Sequence, residues 1–173
     1  MGVDNVDIEA ATAAGIWVAK VPPYCSDEVA EHALALMLAC ARKLPMHDRY
    51  VRAGKWDLGP REKIYRIQGR TLGMVGCGAI GSALRKKVRG LEWKVLVFDP
   101  YLSPEKAREM EVEIASLDRV CRESDFISIH AALTKETRHI IGAAQIAAMK
   151  PTAILVNTSR GPLVDEKALY EAL

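Results

Sequence analysis

Apolar and polar positions change period repeatedly along this chain. From residue 71 onward, short apolar runs rich in β-branched residues alternate with segments whose apolar positions recur at helical spacing. That order predicts βαβ units and a parallel sheet covered on both faces, an α/β fold of the doubly wound kind. The runs are residues 71–75, 94–98, 112–115, 126–130 and 153–156. Between the first two, residues 79–89 place Ile80, Ala83, Leu84 and Val88 on one helical face, with Leu91 just beyond. Shorter helices are predicted over 104–110, 117–121, 143–149 and 166–173, the last capped by Asp165.

The first seventy residues follow a different pattern. Residues 7–14 predict a helix closed by Gly15, residues 16–21 a short strand, and Pro22-Pro23 a break. A long helix then starts at Ser26 or Asp27. Its apolar residues Val29, Ala33, Leu34, Leu36, Met37, Leu38 and Cys40 cover most of its circumference, so 30–41 is expected to cross the core or meet another chain. His32, on this helix, is expected in the core. Residues 48–68 are polar, basic and broken by Gly54, Gly59 and Pro60, and read as an extended arm. With Trp56 and Tyr65 on it, the arm points to a homodimer. A final helix at 166–173 normally feeds another strand, so the chain is expected to be a piece of a longer protein.

Composition narrows the class. The 173 residues are 50% hydrophobic, and 24 basic against 22 acidic side chains leave +2. So small a charge implies neither nucleic acid nor an anionic membrane as partner. The most apolar stretch, 33–41, is about half the roughly 20 residues of a membrane span. Cys25, Cys40, Cys77 and Cys121 form no CxxC pair, and His32, His47, His130 and His139 show no metal-ligand spacing beside them. Reduced thiols, no zinc site and a cytoplasmic location are expected.

Chemistry concentrates in two places. Gly76-Cys77-Gly78-Ala79-Ile80-Gly81 is a GxGxxG after a predicted strand and before a predicted helix. Gly76 permits the tight turn, Gly78 lets backbone approach a pyrophosphate, Gly81 allows close helix packing, and the helix N-terminus offers unpaired N–H groups. Asp99 ends the next strand, where a carboxylate accepts ribose hydroxyls and repels a 2′-phosphate, favouring NAD over NADP. These features together predict a Rossmann-type sheet rather than a glycine turn without ligand. Cys77 is expected only to fill space. The second place is Asn157-Thr158-Ser159-Arg160-Gly161, at the carboxyl edge where such sheets bind ligands. Arg160 either caps that loop or grips a carboxylate with its planar fork. His130 ends a strand at the same edge, facing a cofactor or hydrogen-bonded within the fold.

In order along the chain, Gly2-Val3-Asp4-Asn5-Val6-Asp7, Val29-Ala30-Glu31, Val51-Arg52-Ala53-Gly54-Lys55-Trp56, the GxGxxG with Asp99, Met149-Lys150-Pro151 and the run from Val156 to Asp165 resemble the D-isomer-specific 2-hydroxyacid dehydrogenase family. The stretch from Val21 to Glu28 is similar to its C-terminal-binding-protein branch, which includes NAD-responsive corepressors. The resemblance implies hydride transfer between NAD(H) and a small D-2-hydroxy or 2-keto acid. It implies that Arg160 holds the substrate carboxylate and keto oxygen and also borders the cofactor. It places Ala79 and Ile80 against the pyrophosphate, Asp99 on the ribose, Ala131 and Ala132 beside the adenosine half, and Thr158 and Ser159 beside the nicotinamide. Relatives often carry proline where Ala131 and Ala132 stand, and a small polar residue where Cys25 stands. The resemblance also implies that residues 1–24 are a crossover from a substrate domain and 25–173 a cofactor domain without its last strands. The family's acid/base histidine and its glutamate would then lie outside the chain, leaving it able to bind cofactor but catalytically incomplete. The alternative is an NAD-sensing dimer that presents a surface to protein partners.

Overall fold

The computed structural model describes residues 2–22, 24–56 and 63–173. Five strands form its sheet: β1 (Thr71–Val75), β2 (Lys94–Phe98), β3 (Glu113–Ile114), β4 (Phe126–Ile129) and β5 (Ile154–Asn157). All pairings are parallel and the spatial order is β3-β2-β1-β4-β5. That order, reversing direction on either side of β1, is the doubly wound arrangement the alternating pattern predicts. Eight α-helices are described: α1 (Ile8–Ala13), α2 (Ser26–Ala41), α3 (Leu44–Arg52), α4 (Ala79–Lys87), α5 (Pro104–Glu109), α6 (Leu117–Glu123), α7 (Ala143–Ala148) and α8 (Glu166–Ala172).

Period-two alternation sorts the strand side chains into two cores, because successive residues point to opposite faces. Leu72, Met74, Val95, Val97 and Phe126 pack with Ala30, Ala33 and Met37 of α2 and with Ala83 and Leu84 of α4. Val75, Leu96, Ile127 and Ile129 pack on the other face with Val120 and Cys121 of α6 and with Leu163. The Trp93 ring stacks on Phe126 with centroids 4.5 Å apart, and its indole N–H donates to the Ile67 carbonyl at 2.7 Å. Asp165 caps its helix with a side-chain oxygen, as the sequence predicts, and Ser103, Ser116 and Asp7 do the same for theirs.

The N-terminal third departs from the sequence reading. Residues 16–21 are not a strand; no described strand lies beside them, and Ile16, Trp17, Val18 and Val21 stay exposed. Helix α2 buries one stripe, Ala30, Ala33 and Met37, while His32 and Leu36 face outward, so His32 is not a core residue. The arm expected over 48–68 begins inside α3, separated from α2 by Lys43 in the left-handed region at φ 54. No glycine marks that break, which is why the pattern missed it. Gly59 and Pro60 of the expected arm lie outside the described residues. No helix among the described residues is long and apolar enough to cross a membrane, and no cluster of metal-ligating side chains occurs among them.

Candidate functional site

The loops leaving the carboxyl ends of β1, β4 and β5 converge on a cleft of about 650 Å³. Its opposite wall comes from the chain's beginning, with Asp4, Lys20, Tyr24, Cys25 and Val29 in the lining.

The β1 loop sets the geometry. Gly76 has φ +90, and a Cβ on it would lie 2.7 Å from the Ala131 amide nitrogen and 2.9 Å from the His130 carbonyl carbon. The first glycine therefore lets the β1 and β4 loops touch, a closer need than the tight turn alone. At Gly78, the N-cap of α4, a Cβ would meet nothing within 4 Å, and no side chain caps the helix. The N–H groups of the first turn have no partner inside the helix and open toward the cleft lined by Gly78, Ala79 and Ile80. Gly81 is buried, with its Cβ position 3.0 Å from the Gly76 carbonyl oxygen, the close packing its place in the motif predicts.

Asp99 laces β2 to this turn. One carboxylate oxygen accepts the Cys77 N–H at 2.7 Å and the other the Tyr101 N–H at 2.9 Å. Asp99, Gly76 and Gly81 stand beside the cleft rather than in its lining. Cys77 is buried in the α2–α4 core, and burial first, then the Asp99 charge, push its thiol up to about 11. It fills space, as expected.

The β5 loop is self-braced. Asn157 accepts from the Ser159 N–H at 3.0 Å and donates to the Arg160 carbonyl at 2.7 Å, while the Ser159 hydroxyl donates to the Ile129 carbonyl at 2.9 Å. The Arg160 guanidinium donates from Nε to Asp4 at 2.9 Å and from Nη1 to the Ser159 carbonyl at 2.9 Å. Its side chain remains 43% exposed and lines the cleft. Ala131, Ala132, Thr158, Ser159 and Arg160 all line the cleft. Thr158 carries a buried hydroxyl without a partner among the described residues.

His130 also lines the cleft. Its Nε2 lies 3.0 Å from the Ser128 hydroxyl, its Nδ1 is buried without a partner, and burial pushes its pKa down to about 4. The hydrogen-bonded reading of this residue holds, while its ring also borders the cleft, and burial favours the neutral imidazole. The sequence reading gave Asp4 and Lys20 no role; Asp4 carried a signal only as part of the Gly2-Val3-Asp4 motif.

An open helix N-terminus, a glycine turn with room above it and a carboxylate at the end of β2 form the donor and acceptor set that a dinucleotide's pyrophosphate and ribose require. The fold and this cleft define a dinucleotide-binding α/β domain.

Residues 34–173 match the family described as D-isomer specific 2-hydroxyacid dehydrogenase, NAD binding domain. The chain belongs to that family, whose cofactor is NAD. It is 44% identical over 176 residues to a glyoxylate reductase of Korarchaeum cryptofilum, covering all of this chain and 53% of that protein. It is 46% identical over 174 residues to a D-3-phosphoglycerate dehydrogenase of Methanocaldococcus jannaschii, covering all of this chain and 33% of that one. Among solved structures, D-lactate dehydrogenase of Aquifex aeolicus complexed with NAD and lactic acid superposes with TM-score 0.90 at 34% identity, over 99% of this chain and 51% of that one. The chain thus spans between about a third and about half of the length of these relatives.

Proposed function

We propose that this chain binds NAD(H) along the carboxyl edge of its sheet and serves a dehydrogenase that interconverts a small D-2-hydroxy acid and its 2-keto acid. The observation that carries the reading is the meeting of the open α4 N-terminus and the Arg160 guanidinium in one cleft. Bound NAD(H) supplies or takes up the hydride. Gly78, Ala79 and Ile80 receive the pyrophosphate with backbone N–H groups, and Asp99 accepts the ribose hydroxyls with the lone pairs its two backbone bonds leave over. Arg160 holds the substrate carboxylate and polarises the keto oxygen; Ala131, Ala132, Thr158 and Ser159 wall the cofactor. The proton comes from outside this cleft wall, because His130, the histidine lining it, is held neutral down to about pH 4. The relatives' names support the reaction class, glyoxylate and D-lactate being small acids of this kind.

Residues 1–24 act as a crossover from a substrate domain and 25–173 as the cofactor domain; exposed Ile16, Trp17 and Val21 are apolar surface such a domain would cover. The chain works as a homodimer, supported by exposed Leu44, Val51 and Trp56, and sizing with and without NADH tests it. It works in the cytoplasm, in keeping with four free cysteines.

The deciding experiment is a fluorescence titration with NADH and NADPH. Saturable NADH binding, weaker for NADPH and lost in Asp99→Arg with Gly78→Trp, is expected. A folded chain that fails to saturate with NADH defeats the reading.

A further inference from the structure

A second cavity, of about 480 Å³, opens at the amino edge of the sheet, away from the cofactor cleft. It lies between the end of α2, the segment 63–70 that enters β1, and the segment 151–154 that enters β5. Phe126 is in its lining and His130 in that of the cleft, so the two sites sit at opposite ends of β4, roughly 13 Å apart along the strand.

Lys43, Lys63, Arg66 and Arg70 all line this cavity, against one carboxylate, Asp125. That carboxylate is already engaged. It accepts from Arg70 Nη1 at 3.1 Å, from Lys150 Nζ at 3.0 Å and from the Thr71 N–H at 2.9 Å. Arg70 is held in place by a further bond from Nε to the Arg66 carbonyl at 2.8 Å and by the Tyr65 ring, whose centroid is 5.2 Å from the guanidinium carbon. Lys43 has a partner of its own. The side chains of Lys63 and Arg66 have none among the described residues, so among those residues the cations lining the concavity outnumber its carboxylates. Its floor is apolar, with Phe126, Ala153 and Ile154 in the lining. Cations around a low-dielectric floor focus a positive field where a small anion fits.

We propose that this cavity is a binding site for a small phosphate compound of two or more negative charges, held by Lys63, Arg66 and Arg70. Phosphoryl oxygens outnumber those of a carboxylate, so one group accepts from a guanidinium fork and an ammonium together. A small molecule fits better than a polyanion or a membrane, because the charge is gathered in one concavity while the whole chain carries only +2. The site is independent of the cofactor reading.

Titration calorimetry with inorganic pyrophosphate tests it, at an ionic strength fixed with sodium chloride at about 0.15 M, where long-range attraction between exposed charges is screened. Because pyrophosphate also suits the glycine turn, the two sites are separated by variants. Saturable binding is expected in the wild type and in Gly78→Trp. Lys63→Glu with Arg66→Glu is expected to weaken it about tenfold or more while NADH binding stays unchanged. If the charge-reversed pair loses its fold, judged by circular dichroism, Lys63→Gln with Arg66→Gln replaces it under the same criteria. The proposal is overturned if wild type does not saturate with pyrophosphate. It is equally overturned if the Lys63 and Arg66 variants bind as wild type does, or if Gly78→Trp alone abolishes binding.

Discussion

Asp4 and Arg160, 156 residues apart in sequence, form an ion pair with 2.9 Å between Oδ2 and Nε, and both line the cofactor cleft. The Arg160 hydrogen bond, with a bond to its own backbone, holds the Asp4 carboxyl below the usual carboxylate range. The pair ties the beginning of the chain to the β5 loop. Asp4→Ala is expected to speed hydrogen exchange at residues 2–15 while leaving exchange in β1 and β4 unchanged. Because the folded-state pKa of Asp4 is depressed, the tether is complete above the ordinary carboxylate range and is lost as pH falls through the depressed value. Exchange in the segment should therefore accelerate on the acid side in wild type and show no such step in the variant.

Gly76→Ala is expected to destabilise the fold by about 2 kcal/mol or more, since it adds both left-handed backbone strain and a clash with the β4 loop backbone. Thermal unfolding measures it. Gly78→Ala, at a position with open space for a methyl group, is expected to leave the melting temperature nearly unchanged and to weaken NADH binding instead. Equal losses of stability at the two glycines would refute this account of the turn.

Among the cysteines, Cys77 and Cys121 are buried and their thiols pushed up to about 11, first by burial and then by Asp99 and Asp118 respectively. At neutral pH they should resist Ellman's reagent while Cys40 and Cys25 react. Cys25 lines the cofactor cleft, so NADH should slow its modification and leave Cys40 unaffected.

Burial pushes the His130 pKa down to about 4, below its unfolded value of about 6.5. The unfolded chain thus binds the extra proton first, and stability falls as pH drops from about 6.5 toward 4. His130→Gln should flatten that part of the profile. The imidazole signal of wild type should titrate with a midpoint near 4 by NMR, and a midpoint above 6 would contradict the buried, neutral state.

Asp125 is disfavoured as an anion by burial, but the Thr71 N–H, Lys150 and Arg70 outweigh this and hold its carboxyl below the ordinary range. Its contribution is present above the unfolded carboxylate pKa and lost as pH falls through the folded one. Asp125→Asn should lower the melting temperature at neutral pH, and the difference from wild type should shrink in acid.

The strands, the helices from residue 79 onward and the Asp165 cap were legible in the sequence because each rests on local rules. These are period two for strands, 3.6 for helices, and a hydroxyl or carboxylate at the first turn. The glycine turn was legible as well, since backbone geometry confines such positions to glycine. The segment 16–21 has the apolar content of a strand, yet a strand needs a neighbour to bond with, and whether one exists is not a local property. Helix α2 is apolar on most sides, but which stripe is buried depends on where β1, β5 and α4 lie. The Asp4 to Arg160 pair and the basic cavity at the far edge join residues distant along the chain. Only the packed sheet brings those charges within reach of one another, so tertiary structure alone decided them, while the sequence by itself determined the parallel sheet and the cofactor turn at its centre.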